Sequence, residues 1–199
     1  MKIARRQKFT RRRKYNDDDE DNDETDNDIK QINQRVYFYA PVSTEKVLML
    51  IEKLKEAETY AITHHIGYIL LFIHSGGGDA YAGLSAMDHI QISSTPIYCI
   101  ADGLVASAAT FILLAGVESW GMPHSSILIH QLSTEFYGKY AELEDEMYNS
   151  SSLMKTIRDI YVSRSNMPAA QVEELMKKDI TMTAEECARH GFIKGIYSR

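Results

Sequence analysis

An α/β domain with a mostly parallel sheet is the fold class this sequence predicts, and three observations carry the prediction. Continuous apolar runs of strand length, "YILLFIH" at 68–74, "PIYCIA" at 96–101 and "SILIH" at 126–130, alternate with stretches of helical periodicity. Such unbroken runs read as strands buried on both faces, the mark of parallel pairing with right-handed crossovers. Polar and glycine-rich residues collect where these runs end, at 75–79, 102–107 and 130–131. The carboxyl ends of the strands are where open α/β sheets place their sites.

The elements follow in order. "QRVYFYA" at 34–40 predicts a short strand, and Ser43 or Thr44 can cap a helix whose apolar face is Val47, Leu50, Ile51, Leu54 and Ala57. After the strand at 68–74 and the glycine run, Ala82, Ala86, Met87 and Ile90 repeat at helical spacing. The strand at 96–101 leads into "ADGLVASAATFILLAG", where a buried strand turns into a buried helix around Ser107. The strand at 126–130 comes next, and residues 140–165, which hold few helix breakers, predict one long helix with more apolar residues than an exposed helix needs. Pro168 can open another helix. "TAEECARHG" at 183–191 predicts a helix with a capping box, Thr183 with Glu186, and a glycine stop at Gly191. "FIKGIY" predicts a closing strand, and no internal repeat is evident.

Composition narrows the function. The chain of 199 residues, 44% of them hydrophobic, suits one domain with a substantial core. Two cysteines, Cys99 and Cys187, are too few for a disulfide framework, so a soluble protein of the reducing cytoplasm is expected. The seven histidines show no ligand spacing, and neither a metal nor a cofactor is implied. No apolar stretch is long enough to span a bilayer. Residues 1–14 hold eight Lys or Arg and no acid, whereas 17–28 hold nine acids and no base. Residues 1–32 are therefore expected to be a disordered charged tail, with a removable propeptide, a basic arm or a targeting segment as alternatives, and 33–199 the folded domain. With net charge −6, nucleic-acid binding is not the expected task.

Three segments at strand ends can carry chemistry. "HSGGGDAYAG" frees backbone N–H groups to face an anion, as a phosphate cradle, as half of an oxyanion hole, or as a plain tight turn. No Gly-Lys-Ser/Thr follows, so it is not a P-loop. Gly76, Gly78 and Asp102 approximate a dinucleotide fingerprint, but Tyr81 stands where the third glycine belongs. Ser107 is a helix cap, a small packing residue or a nucleophile, and Ala108 directly after it offers an N–H to an oxyanion, with Gly78 as second donor. It lacks the glycines of the α/β-hydrolase elbow, because Val105 and Ala109 stand there. His130 is a rim residue or the base a serine nucleophile needs. Asp145, Asp159 and Asp179 are the candidates to orient it, and local pattern does not choose among them.

"FIHSGGGDAYAGLSAMDHI", "IADGLVASAATFILLAG", "MPHSSILIHQ" and "DITMTAEECARHGFI" together resemble, in order and spacing, the signature segments of the Clp protease proteolytic subunit family over residues 34–199. The resemblance implies a crotonase-like fold of ββα units with a long handle helix at 140–165, and a serine endopeptidase triad of Ser107, His130 and Asp179. It implies Gly78 and Ala108 as oxyanion donors, two stacked heptameric rings of one chain, unfolded polypeptide substrates and a Clp-type ATPase as feeder. Gly76 replaces a usual proline, Ala108 and Ala109 a usual Met-Gly, and the charged tail the family's axial loop. A non-catalytic ring subunit, a dinucleotide-binding oxidoreductase and a crotonase-type acyl-CoA enzyme are the competing classes.

Overall fold

A computed structural model describes residues 28–198, and the charged segment 1–27 with its expected disorder lies outside the described residues. Seven strands form one sheet: β1 (Ile29–Ile32), β2 (Arg35–Phe38), β3 (Ile69–Ser75), β4 (Ile97–Ala106), β5 (Glu118–Gly121), β6 (Ser126–Leu128) and β7 (Met182–Thr183). The order is β1-β2-β3-β4-β6-β7, with β5 paired to β4 off this path. Strands β2, β3, β4, β5 and β6 pair in parallel, and antiparallel β1 and β7 stand at the two ends. The predicted mixed α/β class is what the chain adopts.

Among the described residues six helices connect and cover the strands: α1 (Thr44–Thr63), α2 (Ala80–Gln91), α3 (Ala109–Leu114), α4 (Tyr140–Ser163), α5 (Ala169–Met176) and α6 (Ala184–Arg189). Ser43 caps α1 by accepting from the Lys46 N–H, and Asp79 caps α2 by accepting from the Ala82 N–H at 2.8 Å. The capping box predicted for α6 is present in both directions, and Gly191 ends that region at φ +80°. The apolar stripes of α1 and α2 face the main core, where Phe38, Leu50, Leu71, Ile73 and Ile112 are fully buried. The other sheet face is buried as well, as the apolar runs predict, and largely by aromatic side chains. There Leu70, Phe72 and Ile100 lie under Tyr37, Tyr98, Trp120, Met122 and Tyr197, with Tyr37 stacked on Phe72 at 5.0 Å.

Several boundaries differ from expectation. Residues 29–32, expected to belong to the charged tail, pair with Arg35–Phe38 in a hairpin that buries Ile29. The hairpin turns at Asn33, whose positive φ of 56° an asparagine tolerates. "FIKGIY" forms one bridge, Ile196 to Gly121, and no strand. Backbone hydrogen bonds from the Lys194 N–H to Ser119, the Gly121 N–H to Gly195 and the Tyr197 N–H to Gly121 still tie this segment to β5. Strand β4 runs five residues past the predicted end and divides its pairing. Tyr98–Ala101 lie against β5, Leu104–Ala106 against β6, and Gly103 bends between them at φ +85°. A side chain there would meet the His74 ring at 2.3 Å.

Glu58 on α1 is a buried carboxylate with full satisfaction. It pairs with Lys55 at 2.8 Å and accepts from Ser94 Oγ at 2.5 Å and from the Thr95 N–H, tying α1 to the turn before β4. The Lys55 and Ser94 bonds hold its pKa down at about 2. A carboxyl with a depressed folded pKa stabilises above its unfolded pKa and loses that contribution as pH falls through the folded value. Glu58→Gln is expected to lower stability at pH 7 by about 1–2 kcal/mol. Urea melts of both proteins should show that difference shrinking from pH 4.5 towards about 2.

Candidate active site

The site is built where β4 ends. Ser107 follows β4 directly and has φ +55°, a left-handed backbone that costs a non-glycine residue about 1–3 kcal/mol. Two elements hold it there. Its N–H donates to the Leu128 carbonyl of β6 at 2.9 Å, and its carbonyl accepts the Thr110 N–H at 2.9 Å as α3 begins. The sharp turn between strand and helix presents the Ser107 side chain to a cleft of about 400 Å³. The cleft is also lined by Gly76, Gly78, Ala108, His130, Gln131 and Leu132. Ser107, His130, Gly78 and Ala108 therefore share one cavity, although they come from different loops.

The glycine run is pinned against this turn. Val42 donates to the Gly77 carbonyl and accepts from the Asp79 N–H, which fixes the loop from the side of α1. Gly77 sits at φ +91°, and a Cβ there would stand 2.7 Å from Ser107 Cβ. Gly78 sits at φ +148°, and its Cβ would stand 2.2 Å from the Val42 carbonyl oxygen. Only glycine fits at both places. The N–H groups of Gly78 and Ala108 have no hydrogen-bond partner among the described residues. Unpaired N–H groups held on rigid backbone can meet a developing oxyanion without reorganising. Tyr81, at the third fingerprint position, is exposed on α2, and the close helix approach falls to Gly83, whose Cβ would meet the Ala108 carbonyl at 2.8 Å.

The aspartate that local pattern left open is selected by strand register. Strands β6 and β7 pair antiparallel, Ser126 opposite Thr183 and Ile127 opposite Met182. Beyond the strand ends the Gln131 N–H donates to the Met176 carbonyl at 2.7 Å, which holds the His130 segment beside the loop that carries Asp179. His130 Nδ1 lies 3.2 Å from Asp179 Oδ1, with the ring 22% exposed and the carboxylate 83% exposed. Asp159 is instead paired with Arg158, and Asp145 is exposed on the first half of α4. With Nδ1 turned to the carboxylate, Nε2 is the nitrogen left to take a proton from a hydroxyl.

Two residues of this region carried no signal as chemistry in the sequence. Thr110 is 1% exposed inside an apolar run, and its Oγ1 donates to the Ser107 carbonyl at 2.6 Å. Tyr161, also 1% exposed, bonds Thr110 Oγ1 through its hydroxyl at 2.7 Å and lines the cleft beside Ile157. Burial raises the Tyr161 phenol pKa, which keeps it protonated. A lone hydroxyl in "AATFILL" and a tyrosine on the stripe Leu153, Ile157, Tyr161 were the available signals. Both cysteines are buried, and burial pushes each thiol up to about 12, so neither supplies a thiolate. Among the described residues no His, Cys, Asp and Glu group could hold a metal ion.

A serine in a strained turn and an imidazole line one cleft of an α/β domain, and a carboxylate lies 3.2 Å from that imidazole, the kinds of group that serine hydrolases combine. A sequence profile of the Clp protease family matches residues 20–199, and the chain belongs to that family. It is similar to the ATP-dependent Clp protease proteolytic subunit of Cucumis sativus, 34% identical over 126 residues, which are 62% of this chain and 65% of that one. The proteolytic subunit of Aethionema cordifolium is likewise 34% identical, over 128 residues, with 63% and 65% covered. Proteolytic subunit 1 of Chlamydia caviae is 29% identical over 167 residues, 82% of this chain and 86% of its own. The chain thus spans 65% of the length of the Cucumis and Aethionema relatives.

Gly78→Ala is expected to cost about 2–4 kcal/mol and to displace the loop from Val42. Gly76→Ala, whose Cβ meets nothing within 4 Å, should stay within about 0.5 kcal/mol of wild type. Denaturant unfolding of the two variants side by side checks both.

Proposed function

We propose that the chain is a serine endopeptidase, the proteolytic subunit of an ATP-dependent Clp-type protease acting on unfolded polypeptides. The observation that carries this reading is the contact of His130 Nδ1 with Asp179 Oδ1 at 3.2 Å beside the cleft that holds Ser107. In this reading Ser107 Oγ attacks a peptide carbonyl while His130 Nε2 takes its proton. Asp179 orients the ring and stabilises the imidazolium, and the N–H groups of Gly78 and Ala108 receive the oxyanion. His130 then gives the proton to the leaving amine, and water, activated by the same base, releases the acyl group from Ser107.

Assembly belongs to the proposal as two stacked heptameric rings joined through α4. The first half of α4 exposes Tyr140, Leu143, Met147 and Tyr148, and only Leu153, Ile157 and Tyr161 of its second half are buried. An apolar stripe left open on a monomer supports a contact with further copies. ATP use would lie with a partner ATPase that unfolds and feeds the substrate, since the glycine loop has no lysine for a nucleotide phosphate. Two free, buried thiols agree with work in the cytoplasm. Among the described residues no helix is long and apolar enough to cross a membrane.

Labelling with a fluorophosphonate, with the adduct mapped by mass spectrometry, tests the chemistry. Modification is expected at Ser107 in wild type and to be lost in Ser107→Ala. Labelling should fall by about 10²–10⁴ in His130→Ala, and less steeply in Asp179→Asn. An unlabelled Ser107 in assembled rings would move the non-catalytic ring subunit ahead.

A further inference from the structure

We propose that Tyr161 and Thr110 are positioning residues for the oxyanion donor: their two hydroxyls form a relay that holds the peptide plane between Ser107 and Ala108. The inference rests on the reading of Ser107 as nucleophile. Its direction follows from proton count. Thr110 has one hydroxyl proton, and it goes to the Ser107 carbonyl at 2.6 Å. In the contact at 2.7 Å the Tyr161 hydroxyl must therefore donate to Thr110 Oγ1. The chain of bonds runs from α4 through α3 to the nucleophile's own carbonyl.

That carbonyl and the Ala108 N–H belong to one planar trans peptide, so they point in opposite directions. Holding the carbonyl against the Thr110 N–H and Oγ1 turns the Ala108 N–H outward, and Ala108 lines the cleft. Two donors on the carbonyl oxygen also polarise the amide and strengthen its N–H as a donor. Without the relay a left-handed Ser107 keeps one helical bond to resist rotation of this plane. Tyr161 is itself fixed by its ring, which packs on Phe111 and Phe192 with centroids at 5.8 and 6.4 Å. The anchor of the oxyanion donor is thus on the helix whose other half stands exposed, outside the strand-and-turn segment that carries Ser107.

The full chain is assayed for three quantities: the rate constant of Ser107 labelling by a fluorophosphonate, kcat and KM on a fluorogenic peptide, and the melting midpoint. Tyr161→Phe, which keeps the ring packing, is expected to slow labelling and kcat about ten-fold while KM and the midpoint stay put. Thr110→Val should slow them to a similar degree, the double variant no further than Thr110→Val alone, and Thr110→Ser should restore the rate to within about two-fold. Unchanged rates in Tyr161→Phe and Thr110→Val overturn the relay, as do losses confined to KM or losses that multiply in the double variant. A midpoint that falls with the rates intact also overturns it, by assigning the hydroxyls to stability alone. A wild type unlabelled at Ser107 overturns the nucleophile reading and the relay with it, whereas a labelled wild type with unaffected variants overturns the relay only.

Discussion

The left-handed backbone of Ser107 is the constraint around which the rest of the molecule is organised. It is an unfavourable conformation for serine, and it persists because three elements agree on it. Strand β6 takes the Ser107 N–H, α3 takes its carbonyl, and the glycine run leaves no room for its neighbours to relax. The bend of β4 at Gly103 prepares this arrangement by releasing β5 and bringing β4 against β6. Without that exchange of partners, Ser107 would reach no carbonyl on β6 and would stand apart from the strand that leads to His130.

The site joins a rigid part to a solvent-facing part. Ala108 and α3 belong to the main core, where Ala109–Leu114 are all buried, and Ser107 is half-buried at its edge. Asp179 is largely exposed on the loop between α5 and β7, and it is kept near His130 by two residue pairs of a short antiparallel ladder. A contact this exposed is weak by itself, so the ladder does more for the geometry than the contact does. The same division appears along α4. Its second half supplies Ile157 and Tyr161 to the cleft, and its first half has no buried residue among the described residues. The helix thus touches the site at one end and stands exposed at the other.

The strands, caps and apolar stripes were legible because each is written in a few neighbouring residues. "YILLFIH" became β3, Ser43 and Thr183 became caps, and the small residues around Ser107 became the buried turn. Strands β1, β5 and β7 were not legible. "IKQI" follows a run of acids, "ESWG" has little apolar content, and β7 is two residues long, so none carries a periodic signal of its own. Each is a strand because a neighbour offers it hydrogen bonds. What covers the second sheet face was not legible for a related reason. Continuous apolarity reports burial without saying what does the burying, and here aromatic side chains cover the face.

The sequence by itself determined the α/β class, the positions of the central strands and helices, and the inventory of groups able to do chemistry: Ser107, His130, the glycine run and three aspartates. Propensity, capping and periodicity act over a turn or two of chain, so they can be read from it. Only the tertiary structure decided which aspartate meets His130, that Ser107 takes a left-handed backbone, and that Thr110 bonds its carbonyl while Tyr161 bonds Thr110. Those outcomes depend on the register of β6 against β7 and on the docking of α4 against α3. Both are contacts between segments far apart in sequence, whose geometry is set by packing rather than by the residues next to them.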